Sequence, residues 1–173
     1  MILKIVSKIF KALRSNESPG QLAWGFVLGM IIGVTPYFTL HDGIIILLII
    51  VLKVNISMAI VAWLISLMFA YLLDPLFHSL GYWLLVEVEA LRPVWVYCSE
   101  KAVLAFAHFN NTVVLGSLVI SLLLVAPVYL LTVFWVQQYR LKLEPTVQKW
   151  KIVKILKGSK LYKLYDKLGH FGE

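Results

Sequence analysis

From Ser15 to Gln138 the chain carries only three cationic side chains, Lys53, Arg92 and Lys101. Charge of either sign is scarce throughout. Only 14 % of the 173 residues are Asp, Glu, Lys or Arg, where a soluble domain has about 25 %. The shortage excludes a water-facing surface of ordinary extent. There is one cysteine, Cys98, which excludes an internal disulfide and any cysteine-based metal site; a small apolar filler is its expected part. No His-Glu-x-x-His, paired carboxylates or nucleophile elbow occurs, so the expectation is a non-enzyme without metal or cofactor. The formal charge of +7 comes with no base-reading motif, which argues against nucleic acid as a partner.

What the chain has instead is apolar length. Hydrophobic residues make up 61 % of it and the mean hydropathy is +0.87, which fits a multi-pass membrane protein with a few spans of about 20 residues. The remaining cations gather at the two ends. Lys4, Lys8, Lys11 and Arg14 precede the first apolar stretch, and nine more follow the last, Lys149, Lys151 and Lys154 among them. This is the positive-inside distribution, and it predicts both termini in the cytoplasm.

Residues 2–14, ILKIVSKIFKALR, place apolar side chains at helical spacing with lysines between them. Such a short basic amphipathic helix is expected on the membrane surface rather than across it, and it does not read as a signal peptide. Ser18 then reads as a helix N-cap with Pro19 at the first helical position. This helix should end near Thr35, because Pro36 biases its predecessor away from the α region. The apolar run Gly43 to Leu52 is too short to cross a bilayer upright. The two pieces together predict a re-entrant hairpin that enters from the cytoplasm and returns there at Lys53.

Asn55 can cap a third helix, Ile56 to Leu73, expected to stop at Asp74-Pro75. The mixed stretch that follows suits amphipathic pieces at the outer interface, with His78 facing Asp74 one helical turn away. Thr112 to Val136 is the clearest span, with a bend at Pro127.

Two features of the hairpin invite function. Gly25, Gly29 and Gly33 form a smooth stripe that, with Pro36, lets another backbone approach. The turn from Thr35 to Gly43 puts Thr35, Thr39, His41 and Asp42 where lipid would penalise them. Non-helical backbone at membrane depth persists only when it is buried in protein or lines a wet cavity. Asp42 can be a plain N-cap of the second helix. Alternatively, His41 and Asp42 bind a polar headgroup or carry a proton, the usual part of ionisable residues inside a membrane.

The elements Ser18-Pro19, Gly25/Gly29/Gly33, Pro36, Phe38, His41, Ile44–Leu52 and Asn55 together resemble a bacterial inner-membrane family, domain of unknown function 2062, over about residues 15–80. The resemblance implies a role near polyprenyl-phosphate or phospholipid substrates, since relatives occur fused to or beside lipid-linked glycosyltransferases.

The expected architecture is all-α. It runs as a surface helix over 1–17, a re-entrant hairpin over 18–53, a transmembrane helix over 54–74, an outer amphipathic segment over 75–110, a second transmembrane helix over 111–138 and a basic cytoplasmic tail over 139–173. The expected function is translocation of a lipid or lipid-phosphate, alone or as the membrane subunit of a larger machine. Thr35, Thr39, His41 and Asp42 would form the headgroup site, and the cationic ends would gather anionic lipid. The alternative is a non-transporting anchor for a larger envelope partner; a homo-oligomer is compatible with either.

Overall fold

A computed structural model describes residues 17–143 apart from 37, 102, 103 and 105. The expected surface helix with Lys4, Lys8, Lys11 and Arg14, and the expected basic tail with Lys149, Lys151 and Lys154, lie outside the described residues. Among the described residues there are five α-helices and no strand: α1 (Pro19–Val34), α2 (Leu40–Val51), α3 (Ile56–Tyr82), α4 (Arg92–Glu100) and α5 (Thr112–Gln138). A π-helical turn (Trp83–Glu87) and a 3-10 turn (Glu89–Leu91) lead from α3 into α4, and a second π segment (Tyr139–Leu143) follows α5. The chain divides into a unit ending at Phe134 and one starting at Trp135. The hairpin, its cavity and its polar cluster belong to the first.

α1 begins with a reciprocal cap. Ser18 Oγ accepts from the Gln21 N–H at 3.2 Å, and Gln21 Oε1 accepts from the Ser18 N–H at 2.9 Å, which satisfies two donors that the helix start would otherwise leave unpaired. It ends at Thr35, whose backbone is extended (φ −83°, ψ 126°) immediately before Pro36, as the steric demand of the proline ring requires. α2 then runs back. After it, Lys53 takes a left-handed backbone conformation (φ 50°) that reverses the chain. The Asn55 N–H donates to the Gln21 carbonyl at 3.4 Å. The end of α2 is therefore level with the start of α1, and the two helices form a closed hairpin.

Asn55 caps α3 through its side-chain oxygen, which accepts from the Met58 N–H at 2.7 Å. α3 runs parallel to α1, and the glycine stripe is the reason the two can touch. A Cβ on Gly25 would meet the Asn55 carbonyl, one on Gly29 the Ala59 backbone, and one on Gly33 the Trp63 backbone and Ser66 Cβ. The stripe thus faces a neighbouring backbone within the same chain. Val27, Leu28, Ile31, Ile45, Ile49 and Ala59 form the core between the helices, with Leu118 and Val125 of α5 packed against it.

Two expectations need correction here. α3 does not stop at Leu73: Pro75 sits inside it and the helix continues to Tyr82. An interior proline removes one hydrogen bond and costs about 3 kcal/mol or more, so something must hold the second half. A second small-residue seam does so. Gly81 lies against the Thr112 backbone and Gly116 against the Phe77 backbone, with Phe77 fully buried between the helices. His78 belongs to this seam, its Nδ1 2.7 Å from Thr112 Oγ1. The expected partnership of His78 with Asp74 does not form. α5 runs antiparallel to α3 and returns to α1, where Trp24 and Tyr129 meet with ring centroids 5.1 Å apart.

The apolar helices cover much of the outside. Ile56–Glu87 and Thr112–Leu141, each an α-helix with its π extension, are long and apolar enough to cross a membrane, yet only 33 % and 28 % of their apolar windows are buried within the chain. Between them, no residue of α4 is buried, and Trp95 Nε1 ties this helix back by donating to the Leu84 carbonyl at 2.9 Å.

Candidate functional site at the hairpin tip

The four polar residues singled out in the turn come together. Thr35, Thr39 and Asp42 are buried, and His41 is nearly so. Their arrangement follows from how α2 starts, and it differs from the expectation. α2 begins at Leu40 rather than Gly43, its N-cap is Thr39, and Asp42 is the third helical residue. Asp42 Oδ2 accepts from the Thr39 N–H and from Thr39 Oγ1, both at 2.8 Å. Asp42 is thus the far half of a capping box rather than the cap itself. The sequence signal was the spacing Thr39-x-x-Asp42, which repeats Ser18-x-x-Gln21 with an acid in place of the amide.

His41 lies across the two threonines. The edge of its ring faces Thr39 Oγ1, with Nδ1 at 2.7 Å and Nε2 at 3.0 Å, and Nε2 is 3.4 Å from Thr35 Oγ1. Since the Thr39 hydroxyl donates to Asp42, it accepts from the imidazole. Thr35 Oγ1 donates to the Ile31 carbonyl at 3.2 Å, which bridges the end of α1 to the cluster. His41 Nε2 is also 3.8 Å from Asp42 Oδ1.

Asp42 Oδ1 is the odd atom. It is buried and has no hydrogen-bond partner among the described residues, although Asp42 is only 1 % exposed. A buried polar atom left unpaired costs roughly 1–3 kcal/mol, more when it carries charge. Asp42 also lines a cavity of about 520 Å³, a volume within the range of small-molecule sites.

That cavity is the feature the sequence concealed. α1 packs on α2 and on α3, whereas α2 and α3 scarcely touch. The gap between them is a groove floored by Gly29 and Ala59 and walled by Ile46 and Ile50 on one side and Ile60 and Trp63 on the other. Thr35 and Asp42 are its polar lining residues. Several wall residues, including Ile46, Ile50, Ile60 and Trp63, are also exposed, so the groove opens sideways between the helices. Pro36 and Phe38 stand at its tip end. The Phe106 carbonyl accepts the Leu40 N–H at 3.2 Å, bringing the approach to α5 against the hairpin tip.

The chain belongs to the family of uncharacterized proteins conserved in bacteria, DUF2062, whose model matches residues 4–144. The match extends well past residue 80, through α3 and α5, and so includes both helices that form the second seam. An uncharacterized protein of Treponema pallidum (strain Nichols) is 25 % identical over 162 residues, which cover 94 % of this chain and 99 % of the relative. No solved structure matches.

Proposed function

We propose that this is a multi-pass protein of the bacterial inner membrane that binds an amphiphilic lipid in the α2–α3 groove, with the lipid's polar end at Asp42. The observation that carries the reading is a sideways-open apolar groove lined by Asp42, a buried residue with one carboxylate oxygen that has no hydrogen-bond partner among the described residues. A groove with exposed aliphatic walls is costly in water but natural against lipid chains. The low burial of the two long helices points the same way, because contiguous apolar surface beyond a few hundred Å² marks contact with membrane or partner.

Helix lengths support a re-entrant hairpin. Gly33 packs beside Trp63 and Ser66, and the groove reaches Leu67. From Ile56 to Leu67 is 11 residues (67 − 56), about 17 Å of helix, or roughly half the ~30 Å hydrocarbon core. With Lys53 and Asn55 at the cytoplasmic surface, the tip lies near the midplane. Asp74 is then about 27 Å along α3, at the opposite boundary. Both termini face the cytoplasm in this arrangement, where the basic ends attract anionic lipid. The role is binding and translocation rather than catalysis.

The test is lipid retention. The full chain is purified in mild detergent, its bound lipid is extracted and identified by mass spectrometry, and Ile46→Trp is compared because that side chain would fill the groove. The reading requires a discrete lipid class in the native chain that Ile46→Trp loses. Bulk membrane composition in both samples would refute it. A stoichiometric protein in place of lipid would support the anchoring role instead.

A further inference from the structure

We infer that the polar end received at the hairpin tip is a hydrogen-bond donor, a primary ammonium or a hydroxyl, and that the site discriminates against a terminal phosphate. The inference deepens the lipid-binding reading and rests on it.

A helix start pointing into a membrane would ordinarily suggest an anion, because the first N–H groups and the helix dipole favour negative charge. Three of the N–H donors at this tip are committed. The Thr39 N–H is held by Asp42 Oδ2, the Leu40 N–H by the Phe106 carbonyl and the Gly43 N–H by the Thr39 carbonyl. Each hydroxyl hydrogen is likewise directed to an acceptor, Thr39 to Asp42 and Thr35 to Ile31. No Lys or Arg lines the groove among the described residues; Lys53, the cation nearest in sequence, is at the far end of α2. The buried side-chain atom left without a partner at the tip is an acceptor, Asp42 Oδ1. A carboxylate oxygen in an apolar surrounding is satisfied by a donor, most strongly by a charged one. A phosphate would instead place like charges together, with no Lys or Arg among the lining residues to offset them and only the His41 imidazole, 3.8 Å from Oδ1, nearby.

The apolar walls require the donor to be carried on a chain, so the fitting ligand is an alkyl amphiphile whose polar end bears N–H or O–H. The probes that separate the possibilities are dodecylamine, dodecanol and dodecyl phosphate. Each is titrated into the full chain in nonionic detergent and followed by the fluorescence change of Trp63, which lines the groove, with Trp63→Phe as the blank. The amine should bind at least ten-fold more tightly than the phosphate, with the alcohol between them. Tighter binding of the alcohol than the amine would still support a donor site and would identify a hydroxyl end. Asp42→Asn gives the second arm. Its amide oxygen can keep the cap to Thr39, which places the NH2 group where Oδ1 stood and turns the acceptor into a donor. The preference should then invert, with the phosphate gaining on the amine.

Equal or tighter binding of the phosphate to the native chain overturns the inference, whether or not the Asn variant folds. Should a native lipid be retained while phosphate is preferred, the lipid-binding reading survives and this one fails. Should none of the three probes bind and no lipid be retained, both fail.

Discussion

Gly29→Ala tests the packing on which the hairpin depends. A methyl group there would lie 2.7 Å from both the Ala59 carbonyl carbon and Cα, and closer still to its carbonyl oxygen. All three are backbone atoms of α3 and cannot rotate away. Overpacking a tight interior costs typically 1–3 kcal/mol, and a clash with rigid backbone belongs at about 3 kcal/mol. Against this, alanine is a better helix former than glycine by about 1 kcal/mol. The net expected loss is about 2 kcal/mol, or roughly 4–8 °C in melting temperature for a chain of this size. Gly43 is the internal control, since it is helical in α2 and a Cβ there meets nothing within 4 Å. Gly43→Ala should collect the helix-propensity gain alone, about 1 kcal/mol. The two variants, melted side by side in the same detergent, should move in opposite directions. A Gly29→Ala protein that melts at or above the native temperature would mean that α1 and α3 are not in backbone contact.

Two further outcomes follow from the same geometry. Asn55→Ala removes the acceptor that caps α3 at Met58 and should lose about 0.5–2 kcal/mol by thermal melting, with Asn55→Asp or Asn55→Ser restoring most of it; an unchanged melting temperature would show that the cap contributes nothing. In a Cys98→Ser background, Lys53→Cys should resist a membrane-impermeant maleimide in intact cells while Ala90→Cys reacts, because the proposed re-entrant hairpin would put position 53 inside. Labelling of position 53 from outside would end that model.

How far the sequence could be read depended on whether the deciding interaction was local. Ser18-Pro19 and Asn55 mark the starts of α1 and α3 because a cap is a contact between residues three apart. The end of α1 at Thr35 is equally local. Local rules misled where a distant partner decides. Asp74-Pro75 reads as a helix end, yet α3 continues because Gly81 and Phe77 pack on Thr112 and Gly116, more than thirty residues away. Spacing alone points His78 at Asp74, and that same packing gives it to Thr112. For the site, Thr35, Thr39, His41 and Asp42 stand out as polar residues in an apolar run, and the fold gathers all four. The groove could not be seen in one dimension. It exists because the glycines bring α3 against α1 and leave α2 standing apart, and no local pattern encodes a gap.

The comparison of the two capping boxes bears most directly on why an acid sits at the tip. α1 closes its start with Ser18 and Gln21, both neutral, and α3 closes its start with Asn55 alone. Neutral groups therefore suffice to cap helices in this chain. At α2 the same spacing carries Asp42 instead, in the more buried of the two boxes. Burial is where a carboxylate is penalised most, so capping by itself would favour the amide. One of the two oxygens, Oδ2, does all the capping through its bonds to Thr39. The other adds desolvation cost and no internal hydrogen bond. That surplus oxygen belongs to a residue lining the apolar α2–α3 groove. On the proposed reading its cost would be offset by a donor bound in the groove, and the hairpin would be more stable with that donor bound. A ligand with a donor end should accordingly raise the melting temperature of the native chain and leave that of Asp42→Asn nearly unmoved. Equal stabilisation of both proteins would return Asp42 to the role of a cap.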